Sequence, residues 1–527
     1  MYDCLNPSHS LFIKNESERD IIAYHDGTIY VTSEAKTSST FQAYFNRARA
    51  HLGTPPDVKV VTLSDLKADF YDGAMDVDDG DFDPSETQNT VVNMLKDAAA
   101  RNGSDIHIIT SESQRIARIK YRVDGDLEEV DSVSLAKGKA LLGTIYNTMA
   151  SEADSMYNPL KPQDGRIKYE FAKNAGLSGA RIATRPTDDG VIMVLRLLYS
   201  QKKESNKGLD DLGYLPEQAN DMWAIADRPF GLMIMSGATG SGKSTSIERL
   251  MSALYLKYQG KKNFMTVEDP PEYAIHGAIQ TPIICDKNDE ESVRRAWAQA
   301  ISNMMRLDPD VILIGEVRDE DSAMGAIRAA MTGHFVFTTL HVNDAFGCIQ
   351  RLVDIGIDQT FLFDPKILSG LVNQSLAKRL CKECRIPYKG NEHLVDEGLR
   401  GRIQRFTNID GVHLAGKGCK CCHNGFSGRE AVAEVVKTSA ALFDVFKNHG
   451  KVAATRYWVE EMGGVTKGQA MIQKINEGLL DPSSAEQDIC LLNEDVVTLG
   501  IEDFPKKAKP SVIHNPNPGH QKVERIG

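Results

Sequence analysis

Nine residues, GATGSGKST from Gly237 to Thr245, place Gly237, Gly242, Lys243 and Ser244 at the spacing G-x-x-x-x-G-K-[ST]. A loop of this composition cradles a triphosphate: its backbone N–H groups face phosphate oxygens, the lysine reaches the β and γ phosphates, and the hydroxyl holds Mg²⁺. The candidate ATP-binding segment is therefore Gly237, Ala238, Thr239, Gly240, Ser241, Gly242, Lys243, Ser244 and Thr245, with Ser244 as the magnesium ligand. The pattern is short, so its surroundings decide its meaning. An apolar run, GLMIMS, precedes it and SIERLMSALYL, with helical spacing, follows. The loop thus joins a strand to a helix N-terminus, where the peptide dipoles favour negative charge.

Three further segments supply groups for hydrolysis. DPDVILIGE, residues 308–316, is an apolar strand that ends in Glu316, the candidate for activating the attacking water, and it is expected directly beside the P-loop strand. TVEDPPEY, residues 266–273, carries Glu268, Asp269 and Glu272, and its two prolines stiffen the loop that holds them near a metal. MTGHFVFTTLHVND, residues 331–344, places His334 and His341 at the two ends of one apolar strand. A histidine at such a strand end, next to a γ-phosphate, reports nucleotide state, and His341 is the candidate for that role.

Five of the nine cysteines fall between Cys381 and Cys422. In a reducing compartment this clustering points to metal ligation rather than disulfides. CKEC gives Cys381 and Cys384, and CKCC gives Cys419 and Cys422. Two such knuckles provide the four thiolates of a tetrahedral Zn²⁺ site, closed and structural. The interval between them exceeds the common 15 to 20 residues or so, which a loop tolerates at small entropic cost. Cys421 is a spare thiol, and His423 is an alternative ligand.

The elements that position these groups fall into blocks. Residues 1–88 carry no assignable chemistry and end in an acidic stretch, residues 69–86, with seven aspartates and the composition of a solvated linker. An EF-hand register there would put Met75 and Val77 where carboxylate ligands belong, which argues against calcium. Residues 89–200 read as a small α+β domain with a hairpin turn at Asp124-Gly125. Residues 201–216 form a polar hinge, and residues 217–376 alternate strand-like and helical runs, the βαβ signature of a mostly parallel sheet. The cysteine module spans 377–436, a helical segment 437–503 and a disordered tail 504–527.

A chain of 527 residues is multidomain, and its net charge of −12 disfavours non-specific binding to nucleic acid. No apolar run approaches the 18 or so residues of a spanning helix. The start lacks the basic-then-apolar order of a secretory signal, so the chain is expected in the cytoplasm.

The four boxes in this order resemble the secretion ATPases of type II secretion and type IV pilus assembly, a RecA-like hexameric P-loop family. GATGSGKST resembles that family's Walker A motif, TVEDPPEY its Asp box, DPDVILIGEVRDEDSA its Walker B motif and AAMTGHFVFTTLHVNDA its His box. SDIHI, YRVDGDLEEV and ARIATRPTDDGVIMVLRLL resemble the family's second N-terminal domain, and GCKCCHNGFSGREAVAE its tetracysteine module, typical of the assembly branch. The resemblance covers residues 90–480. It implies an α/β fold, with a RecA-like core behind a PAS-like α+β domain, a zinc module and a helical C-terminal part. Glu316 would be the catalytic glutamate, and Arg181, Arg185 and Arg196, with Arg318, would close on the nucleotide. Ser236, Ala238 and Ser246 are not the family's commonest choices, and residues 1–88 do not match its first domain. The implied function is a homo-hexameric ATPase, peripheral at the inner membrane, that drives pilus or pseudopilus assembly. Its partners would be an inner-membrane platform protein and a docking protein, with no nucleic acid. The alternatives are a RecA-like nucleic-acid motor or conjugation-related translocation ATPase, and a nucleotide-bound scaffold without turnover.

Overall fold

The computed structural model describes residues 11, 13, 21–33, 35–62, 66, 84–151, 156–200, 208–286, 289–422 and 424–501. Most of the acidic stretch, the first half of the expected hinge, His423 and the C-terminal tail lie outside the described residues. The chain divides into two units, residues 1–200 and 201–527.

In the first unit, strands Ile22–His25, Thr28–Thr32 and Asp57–Val61 form a small sheet with helix Ser39–Leu52. Ser38 caps that helix by accepting from the Phe41 N–H, and Gly53, at φ 74°, ends it. Helix Pro84–Ala100 then leads into a seven-stranded antiparallel sheet running from Gly103 to Tyr199, with helix Leu135–Thr144 on its apolar face. Alternation is what builds it: Ile106, Ile108, Ile119, Tyr121, Met193 and Leu195 point into the core, while Arg118, Lys120, Arg122, Arg181 and Arg196 take the other face. At the expected hairpin Asp124 and Gly125 both have positive φ, 48° and 99°, the combination a two-residue type I′ turn needs.

The second unit is built on a seven-stranded sheet in the order Ala278–Pro282, Phe264–Glu268, Val311–Ile314, Phe335–Leu340, Gly231–Ser236, Leu368–Leu380 and Phe426–Lys437. All neighbours run parallel except the last pair. The central strands are buried on both faces, which is why they read as unbroken apolar runs.

Two features differ from the sequence reading. The strand beside the P-loop strand is Phe335–Leu340, and Val311–Ile314 lies one place further out. The sheet also continues past residue 376: Leu368–Leu380 crosses that boundary and pairs with Phe426–Lys437. The cysteine module is thus an excursion between the last two strands. Helices Ala440–Glu460, Lys467–Asn476, Pro482–Asp488 and Glu494–Leu499 follow. No helix among the described residues is long and apolar enough to cross a membrane.

Candidate nucleotide site and cysteine cluster

Parallel strands deliver their carboxyl ends to one edge of a sheet, and ligands of open α/β sheets bind there. At this edge the P-loop strand ends at Ser236, and helix Lys243–Lys257 begins after Gly242, at φ 85°. Glycine is required at both ends of the loop. A Cβ on Gly237 would sit 2.2 Å from the Gln374 carbonyl oxygen, and one on Gly242 would sit 2.8 Å from Gln374 Nε2. The loop tip, Ala238, Thr239 and Gly240, is exposed, as is Ser244, so backbone amides and a hydroxyl face outward where phosphates and Mg²⁺ would lie. Thr245 lies one residue further into the helix. The Ser241 hydroxyl is buried without a hydrogen-bond partner inside the loop, as expected of a cradle shaped for a polar guest.

Lys243 Nζ donates to the carbonyls of Gly237 and Ala238, at 2.8 and 3.0 Å, which holds the ammonium over the loop. Burial lowers its pKa, while Glu316 and Glu272 act the other way. Glu316 stands at the end of the Val311–Ile314 strand. Its carboxylate takes Arg318 at 3.0 Å and lies 3.8 Å from His341 Nε2. Burial is also the main cause that holds His341 below its ordinary pKa, with Lys243 adding to it and Glu316 opposing, so the imidazole is neutral near neutrality. Burial works against the charge on Arg318, yet the hydrogen bond and charge of Glu316, with Asp269 and Asp319, raise its pKa. Thr339 fixes the height of the acid strand by donating to the Gly315 carbonyl at 2.6 Å.

The structure therefore gathers Lys243, Glu316, His341, Arg318, Asp269 and Glu272 at one edge. Glu268 is turned to a local duty: its Oε1 accepts from Thr266 and Gln280, at 2.7 and 2.9 Å. His334, at the opposite end of its strand, bonds Ala329 and Thr332 in the preceding turn and takes no part. Arg181, Arg185 and Arg196 belong to the first unit. Arg181 and Arg196 are paired across adjacent strands, and Arg196 Nε bonds Asp105 at 3.1 Å.

Two polar residues that the motifs do not announce brace this edge. Asn373 and Gln374 are neighbours on Leu368–Leu380, so their side chains leave opposite faces of the sheet. Asn373 donates to Ser236 Oγ and to the Val342 carbonyl, at 2.9 and 2.8 Å. Gln374 donates to the Ser241 carbonyl at 2.7 Å, and its Oε1 accepts from Ser246 at 2.9 Å and from Tyr214. Ser236 and Ser246, two of the unusual choices around the loop, are thus the hydroxyls that receive these braces. The signal available in sequence was an amide pair inside an apolar strand.

The cysteines meet as spacing suggests. Sγ atoms of Cys381, Cys384, Cys419 and Cys422 all lie within 4.8 Å of one another, with 3.7, 3.4 and 3.6 Å for Cys381–Cys419, Cys384–Cys422 and Cys419–Cys422. A tetrahedron with Zn–S bonds of about 2.3 Å has edges of about 3.8 Å, so the donor set fits. The Glu383 N–H lowers the Cys381 thiol, while burial and the neighbouring sulfurs raise Cys384. Zn²⁺ bound here would hold all four as thiolates. Cys421 is exposed and offers its N–H to Cys419 Sγ at 3.4 Å.

The family model "Type II/IV secretion system protein" matches residues 82–491. The chain belongs to that family. It is 33% identical to the type II secretion system protein E of Dickeya dadantii over 375 residues, 70% of each chain. It is 34% identical to the type IV pilus assembly ATPase PilB of Pseudomonas aeruginosa over 359 residues, 68% of this chain and 59% of that protein. The solved Legionella pneumophila ATPase DotB superposes with a TM-score of 0.52 at 20% identity, covering 77% of this chain and 95% of its own, a likeness of fold. For a member of the type II/IV secretion family, the four boxes, the P-loop sheet and the tetracysteine cluster form one consistent set.

Proposed function

We propose that this chain is an ATPase that works as a homo-hexamer at the cytoplasmic face of the inner membrane and converts ATP hydrolysis into assembly of a type IV pilus or a type II secretion pseudopilus. The observation that carries the reading is the meeting of Lys243, Glu316 and His341 at the carboxyl edge of a P-loop sheet in a chain of this family. The loop amides and Lys243 bind the β and γ phosphates, and Ser244 would hold the Mg²⁺ that screens their charge. Glu316 orients and deprotonates the attacking water, held in place by Arg318 and the Thr339 brace. His341, neutral and beside Glu316, distinguishes the states before and after loss of the γ-phosphate. Arg181 and Arg196 supply guanidinium charge to the transferring phosphoryl group during turnover. Zn²⁺ held by the four cysteines would be structural, because four protein ligands leave no open coordination position. A platform protein in the inner membrane receives the motion, and residues 1–88 dock a second partner.

Phosphate release by the purified full chain tests this. Glu316→Gln is expected to cut turnover by about 100-fold or more while nucleotide still binds. Arg196→Ala is expected to lower kcat by a similar factor. Undiminished hydrolysis by Glu316→Gln removes the role given to that acid. Single-stranded DNA is expected to leave the rate unchanged, because the family match favours a secretion or pilus ATPase over a nucleic-acid motor.

A further inference from the structure

The segment that follows His341 is held at every residue by a side chain that comes later in the chain. The Val342 carbonyl accepts from Asn373 Nδ2 at 2.8 Å. The Asn343 carbonyl accepts from Lys467 Nζ at 2.6 Å, and Asp344 Oδ2 from Lys451 Nζ at 2.6 Å. The Ala345 N–H donates to Glu434 Oε2 at 3.0 Å. Lys451 lies on helix Ala440–Glu460, and Lys467 opens helix Lys467–Asn476 just after its cap, Thr466.

Three of the four holds are joined, since the Lys467 N–H donates to Glu434 Oε1 at 3.4 Å. Lys467 Nζ also donates to Asn373 Oδ1 at 2.6 Å, and the same Asn373 donates to Ser236 Oγ, the residue immediately before the P-loop. One ammonium and one amide therefore link three things: the end of the P-loop strand, the backbone beyond His341 and the start of a C-terminal helix. Asn373 is 1% exposed, so its bonds are not exchanged freely with water. Lys467 also faces Glu434, whose carboxyl pKa burial raises and the Lys467 charge lowers.

We propose that Lys467 and Asn373 are positioning residues for hydrolysis: they set the distance between the P-loop and His341, and they make the C-terminal helices part of the nucleotide-sensing apparatus. Neither touches the reacting atoms. Their effect is expected on the rate of the chemical step, because a His341 backbone free to drift leaves nucleotide binding by the loop intact but loosens the arrangement around Glu316. The inference rests on the ATPase reading above.

The test uses the purified full chain and its Lys467→Met, Lys467→Arg, Lys467→Gln and Asn373→Ala variants. For each, kcat, KM for ATP, the dissociation constants for ADP and for a non-hydrolysable ATP analogue, and the melting temperature are measured. Lys467→Met and Asn373→Ala are each expected to lower kcat by about tenfold with KM changed less than about twofold. The double variant is expected to be no slower than the worse single one, and Lys467→Arg to recover most of the rate. If Lys467→Met is too unstable to assay, Lys467→Gln and Asn373→Ala decide the matter, since the first keeps a polar side chain without the charge and the second removes the amide altogether. Normal kcat in Asn373→Ala and either uncharged Lys467 variant overturns the proposal. So does a loss of rate that follows melting temperature alone. If the unaltered chain binds nucleotide without hydrolysing it, the functional reading fails on its own account. The proposal is then judged by whether these variants abolish the preference between the ATP analogue and ADP.

Discussion

The phosphate-facing edge and the cysteine cluster both draw side chains from distant parts of the sequence, yet they are finished differently. At the edge, Lys243, Glu316, Arg318 and His341 have mixed charges and unequal separations, and the loop tip is exposed. In the cluster, four identical atoms lie within 4.8 Å of one another. The first arrangement suits a reactant that arrives and leaves. The second suits an ion that stays. The difference teaches that, within one chain, a mixed set of groups around an open loop marks the chemistry, while a full set of four like donors marks the scaffold.

The sharpest way to break this contrast is to exchange the consequences. Lys243→Ala is expected to reduce phosphate release by about 1,000-fold, while thermal denaturation stays within a degree or two of the unaltered chain. A comparable loss of stability would mean that the lysine is part of the scaffold. Cys419→Ser should do the opposite: metal analysis is expected to show zinc lost from the protein, and the melting transition to fall by several degrees. Its kcat is expected to change by less than about threefold. A collapse of kcat without any change in melting would give the metal a part in turnover.

The smallest effect lies in pH. Burial and Lys243 hold His341 below its ordinary value of 6.5, so the native state resists protonation more than the unfolded chain does. The linkage is favourable and constant above 6.5 and declines as pH falls through that value. Turnover is therefore expected to be flat above about pH 7 and to drop on the acid side, with the acid limb missing in His341→Gln. An unchanged acid limb in that variant would assign it to another group.

Much of the site was legible because its signals are local. The P-loop spacing, the acid at the end of an apolar strand and two pairs of cysteines each fit within about ten residues, and each places its side chains through a tight turn or a strand end. Strand order is different. Val311–Ile314 is separated from the P-loop strand by Phe335–Leu340, and nothing in the residues of either strand states this, because register and neighbour choice are settled by packing across the whole sheet. The same holds for the boundary placed at residue 376, where an apolar strand runs on to Leu380. Asn373, Gln374 and Lys467 escaped because their partners are far away in the chain, up to 160 residues between Gln374 and Tyr214. In the first unit, residues 22–61 carry no assignable chemistry in the sequence, and their sheet is hidden for a similar reason: Thr28–Thr32 pairs with Asp57–Val61 only after an intervening helix brings them together.

The module between the last two strands has both its feet on one rung. Leu380 pairs with Phe426, and the Cys381 N–H donates to the Gly425 carbonyl at 2.9 Å. Between those feet the module is welded to the ladder: Tyr388, Leu399, Ile403 and Leu414 share one core with Ala377 and Val432 of the two strands and with Met471 and Ile475 of the helix that follows. Lengthening a surface loop of the module adds only a slowly growing closure entropy, whereas trimming its packed residues opens the shared core. The module is therefore free to vary at its surface, while its packed face and the last two strands have to change together.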